Sequence, residues 1–126
     1  MDISFSSRFR RLWPALALTG IIAIALFIPA AWVESIPSPP EPPLHLLMFG
    51  ALVGVWLHAL PGWRRIVTVA GVLAAVGTEV IQAVAVPGRT AALDDLIANV
   101  LGVALAWLLT RRADRTRSQN RQPEKR

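Results

Sequence analysis

The chain has 126 residues, of which 54% are hydrophobic and 17% charged; a soluble domain of this length has about a quarter of its residues charged. It has no cysteine, which excludes disulfides, thiolate metal ligands and cysteine nucleophiles. The net charge of +5 and pI near 11.5 suggest nucleic acid, but no basic run is interleaved with aromatic residues and no nucleic-acid module is visible, so no such partner is expected.

The elements in chain order account for the charge. Residues 1–12 form a basic N-terminal segment with Arg8, Arg10 and Arg11. Residues 13–33, "WPALALTGIIAIALFIPAAWV", hold no charge and meet the roughly 20 apolar residues that a bilayer span needs. Pro14 is placed at the start, where a missing N–H is harmless. The run exceeds the roughly 7–15 residues of a signal-peptide core and reads as a retained helix. A stiff, proline-rich loop, "SIPSPPEPP", leads to a second span at 44–60, with Pro43 suited to its first turn.

The third span, 66–86, carries Glu79 and Gln82. The "VPGRT" turn follows, with Pro87 and Gly88 fitting the centre of a type II turn. The fourth span, 92–110, opens on Asp94 and Asp95 and contains Asn99. Residues 111–126 are polar and basic and read as a disordered tail, either solvated or lying along anionic lipid. Twelve Lys and Arg fall on one side of these spans and only Arg89 on the other. The expected fold is therefore an all-α membrane protein, a four-transmembrane-helix bundle in the inner membrane with both termini cytoplasmic.

The polar residues of the oily half converge in this topology. Glu79 lies seven residues before Val86, and Asn99 seven after Ala92. At 1.5 Å per residue both sit about 10 Å from the outer turn. Gln82 shares the face of Glu79 at i+3. Asp95, Asn99, Gly102 and Ala106 form a stripe on the last helix, with Gly102 and Ala106 small enough for close packing. His45 opens the second span on the same side. Carboxylates in a membrane are costly and face a bundle interior or a wet cavity, so Glu79 is either paired with Arg89 or carried protonated. Each residue also has a plain structural role open to it. Glu79, Gln82 and Asn99 would serve as interhelical glue, Asp94 and Asp95 as caps on a helix N-terminus, Arg89 as a headgroup anchor and His45 as an interfacial histidine. His58, near the cytoplasmic end, reads as interfacial.

In this order and spacing the residues resemble the VanZ-like family of small membrane proteins, named for a teicoplanin-resistance protein. The likeness runs from Pro43 to Leu109: His45, then "EVIQ" with Glu79 and Gln82, "PGR" with Arg89, and "DLIANVLG" with Asp95, Asn99 and Gly102. Two positions depart from the pattern. Pro42 stands where a Lys is usual and Ala92 where an Asp is frequent, leaving Glu41 and Asp94 as possible substitutes. The resemblance implies a cell-envelope membrane protein, linked in some members to glycopeptide susceptibility.

Three functions follow. The first is an outer pocket of Glu79, Gln82, Arg89, Asp95, Asn99 and His45 that binds a polar or anionic head group, of a lipid-linked cell-wall intermediate or of the antibiotic. The second is a non-catalytic scaffold or accessory subunit. The third is an intramembrane enzyme acting on a lipid phosphate or ester, with Glu79 as acid or base and His45 assisting. Thr78 and Thr90 are poor nucleophiles, and no metal-binding spacing or cofactor motif is present. Four short spans leave little room for a transport path unless copies associate as a homo-oligomer.

Overall fold

The computed structural model describes residues 3–33, 41–86, 88 and 90–120. Helix α1 spans Ile3–Leu26, a single turn α2 spans Ala30–Val33, and α3 spans Glu41–Ala59. A 3-10 turn, Pro61–Trp63, leads into α4 (Arg64–Ala85), and α5 spans Leu93–Asn120. No strand occurs among the described residues, and four of the helices are long and apolar enough to cross a membrane.

Three boundaries differ from the sequence reading. The first long helix stops at Leu26 rather than Val33, because Pro29 has no N–H and crowds the preceding turn. The Phe27 N–H closes the helix on the carbonyls of Ala23 and Ile24 at 3.3 and 3.2 Å. That helix also begins at Ile3, so residues from 3 to 12 are helical and Pro14 lies inside α1, not at its start. At the other end, α5 continues through 111–120, where a disordered tail was expected. Extending an existing helix is far cheaper than nucleating one, and Arg64 holds its end through Asp114 at 2.8 Å. The remainder of the tail, 121–126, lies outside the described residues. Pro42 and Pro43 fall in the first turn of α3, and Gly88 has the positive φ of 79° that the third residue of a type II turn requires.

Helix α3 is the hub and packs against α1, α4 and α5. Its first turn meets the first turns of α5 and the last turns of α4. Its last turn shares a cleft with Arg64 at the start of α4, Asp114 late in α5 and Arg11 in α1. Thus α3 and α5 run in one direction, with α1 and α4 opposed. The α3–α5 seam is made by small residues. A Cβ on Gly102 would overlap the Leu46 carbonyl oxygen and lie 2.9 Å from the Gly50 nitrogen. One turn on, Gly54 faces Ala106. Gly50 and Gly54 form a G-x-x-x-G pair, which lets backbones touch where lipid offers no hydrophobic drive to associate. Phe49, Val53, Leu57, Ala75 and Val103 fill the core, while Ile24, Leu47, Leu73 and Val84 point outward as an apolar coat suited to acyl chains.

Candidate functional site

Four polar side chains from three helices gather at the end of the bundle where α3 and α5 begin. His45 lies one turn into α3, Glu79 two turns before the end of α4, and Asp95 and Asn99 a turn apart on α5. All four are buried, Asn99 completely. The antiparallel α4–α5 hairpin sets their common depth, because Glu79 and Asn99 are each about two turns from it.

Asn99 is the centre. Its Nδ2 donates to Glu79 Oε1 at 3.2 Å, and its Oδ1 stands 3.0 Å from His45 Nδ1. An amide oxygen only accepts, so with this amide orientation the His45 Nδ1–H is the donor of that bond. The other oxygen of Glu79, Oε2, accepts the Ala92 N–H at 3.3 Å. Ala92 thus reaches the carboxylate through its backbone N–H. His45 Nδ1 lies 3.9 Å from Glu79 Oε1, so Asn99 rather than a direct ion pair links the two. Both oxygens of Glu79 have donors, as burial of a carboxylate demands.

Asp95 is different. It is 7% exposed, and its Oδ1 is the one buried side-chain oxygen or nitrogen, among the described residues, with no hydrogen-bond partner. Its electrostatic neighbours are His45, Glu41, Asp94 and Glu79. Glu41 and Asp94 are both exposed in the first turns of α3 and α5, where a negative charge suits the helix dipole.

Of the remaining residues singled out in the sequence, Gln82 is buried but turned away. Its Nε2 donates to the Leu26 carbonyl at 2.8 Å, satisfying a C-terminal carbonyl of α1 that the helix itself leaves unpaired. Arg89 lies outside the described residues. Gly102 and Ala106 lie in the α3–α5 seam and not in the polar cluster. The Thr78 hydroxyl bonds its own helix at Ala74 and is exposed, away from Glu79. No group of three or more His, Asp or Glu side chains among the described residues is placed to hold a metal ion.

Two polar arrangements carried no clear signal in the sequence. At the opposite end, Arg64 binds Asp114 at 2.8 Å, Thr110 Oγ1 at 3.0 Å and the Trp107 carbonyl at 3.2 Å. Within the bundle, Trp56 Nε1 donates to Thr19 Oγ1 at 3.0 Å. Both join residues far apart in the chain whose side chains are individually ordinary at a membrane interface or helix face.

No curated protein and no solved structure matches the chain. The model of one protein family, described as VanZ/LLP1, matches residues 9–114, a stretch that takes in α3, α4, most of α1 and α5, and the whole polar cluster. By that match the chain belongs to the VanZ/LLP1 family.

Proposed function

We propose that this multi-pass membrane protein binds a polar head group at the end of the bundle formed by His45, Glu79, Asp95 and Asn99. The unpartnered Oδ1 of Asp95 carries the reading. His45, Asn99 and Glu79 are joined by hydrogen bonds, with the Ala92 N–H completing Glu79, so the arrangement is preorganised, and the buried acceptor of Asp95 has no donor among the described residues. An unmet buried acceptor costs about 1–3 kcal/mol, which a ligand hydroxyl, amide or amine would recover. Arg89, ten residues after Glu79 in the sequence, would meet an anionic part of the same ligand. The asymmetry of Arg and Lys supports both termini in the cytoplasm and the pocket in the outer leaflet of the inner membrane. There a lipid-linked cell-wall intermediate or a glycopeptide would present such groups, consistent with an effect on teicoplanin susceptibility.

The test is binding of labelled lipid-linked cell-wall intermediates to the purified chain, compared between wild type and Asp95→Asn. Tenfold or greater weakening in a folded variant, equivalent to about 1.4 kcal/mol, supports the reading; equal binding, or none by wild type, removes it. A scaffold is the second reading, favoured by Gln82 and Asn99 having their hydrogen bonds filled internally. It requires Glu79→Gln to lower thermal stability or assembly without any ligand effect.

A further inference from the structure

We propose that the opposite, basic end of the bundle holds a second site, one that takes a phosphate group. A cleft of about 270 Å³ opens there, lined by Arg11 of α1, His58 of α3, Arg64 of α4, and Thr110, Asp114 and Arg117 of α5. Its lining comes from all four long helices, so it is built by the fold and not by one basic run.

The charges in this cleft are unequal in their commitments. Asp114 is taken by Nη1 of Arg64, whose Nη2 donates to Thr110 Oγ1 and the Trp107 carbonyl. Arg64 is thereby fixed and neutralised. Arg11 and Arg117 have no ion pair or hydrogen bond among the described residues, and both are exposed on the cleft wall. Two uncommitted guanidinium groups facing one cavity suit an anion with several oxygens, because the planar fork matches phosphate geometry. Cavity volume is ample for such a group.

The surroundings place the site at headgroup depth. Trp13 stands two residues beyond Arg11, and Trp63 immediately before Arg64; both indoles are exposed, as in the aromatic belts at membrane surfaces. A phosphate reaches that depth either on a lipid or as the free ion, and the chemistry of recognition is the same.

The experiment is native mass spectrometry of the full chain titrated with phosphatidylglycerol, with diacylglycerol of the same acyl chains, and with inorganic phosphate. Wild type should retain phosphatidylglycerol well above diacylglycerol. Arg11→Gln with Arg117→Gln should weaken that retention by roughly tenfold, one charge-assisted hydrogen bond. Arg65→Gln with Arg112→Gln removes equal charge from exposed positions outside the cleft and should leave retention intact. Displacement by inorganic phosphate, or phosphate binding without lipid binding, assigns the free ion as the source; lipid binding that resists phosphate assigns the headgroup. The proposal is overturned if wild type binds neither, if Arg11→Gln with Arg117→Gln changes nothing, or if the two double variants lose affinity equally, since that is diffuse attraction of a basic surface.

Discussion

Asn99 and Glu79, twenty residues apart in the chain, meet across the α4–α5 hairpin at 3.2 Å. The same amide orients His45 from a third helix at 3.0 Å. One side chain therefore ties the imidazole and the carboxylate to each other. Asn99→Leu, with the same branching but without hydrogen bonds, leaves Glu79 and His45 each short of a partner. A loss of roughly 2–3 kcal/mol is expected, within the range for an orphaned buried polar group. Thermal unfolding in detergent checks it, and an unchanged midpoint would refute the central role given to this amide.

Asp95 should behave in the opposite way. Its Oδ1 has no hydrogen-bond partner among the described residues, so Asp95→Leu should leave stability unchanged or raise it by about 1 kcal/mol. Ligand capture should nonetheless disappear. A stability loss as large as that of Asn99→Leu would mean that Asp95 is structural.

The helix seam is open to a sharper test. Gly102→Ala drives a methyl into the Leu46 carbonyl and the Gly50 nitrogen, both backbone atoms that no rotamer change can move. Destabilisation of about 3 kcal/mol is expected, the upper end for overpacking. Gly20→Ala is the companion: nothing lies within 4 Å of its Cβ position, and alanine favours helix. Comparable melting of the two variants would show that the seam is not close-packed.

Arg64→Ala should act locally. Its pair with Asp114 is partly exposed, with side-chain exposures of 23% and 56%, so only about 0–1 kcal/mol of global stability is at stake. The end of α5 would lose its tether. Faster amide exchange confined to 111–120 is the expected readout; uniform exchange changes would contradict it.

Orientation is testable by reporter fusions. A C-terminal alkaline phosphatase should be inactive and a C-terminal green fluorescent protein bright, since both termini are proposed to be cytoplasmic. The reverse pattern would move the polar pocket to the inner leaflet.

The sequence carried the helix count and the meeting of Glu79 with Asn99, because apolar run length and distance from a hairpin turn are one-dimensional quantities. It did not reveal that Gln82 turns to the Leu26 carbonyl, although i and i+3 positions share a broad face. A helix face about 100° wide touches two neighbours, and sequence spacing alone does not say which. The Gly50–Gly54 pair was present in plain view, but its partner could be assigned only once α3 and α5 were seen side by side. The first span, expected to reach Val33, and the stretch 111–120, expected to be disordered, differ from the structure for a shared reason. Hydropathy marks where lipid is tolerated, and a backbone follows hydrogen bonding instead.

The α3–α5 seam has a consequence for biogenesis. Because the glycine that closes it lies in the final long helix, the bundle cannot lock while the ribosome is still making α4. The earlier helices must wait in the bilayer, with the α3 groove open to lipid or to an insertase. A nascent chain arrested before Gly102 emerges should therefore remain sensitive to quality-control proteolysis, and release of that last helix should end the sensitivity in a single step.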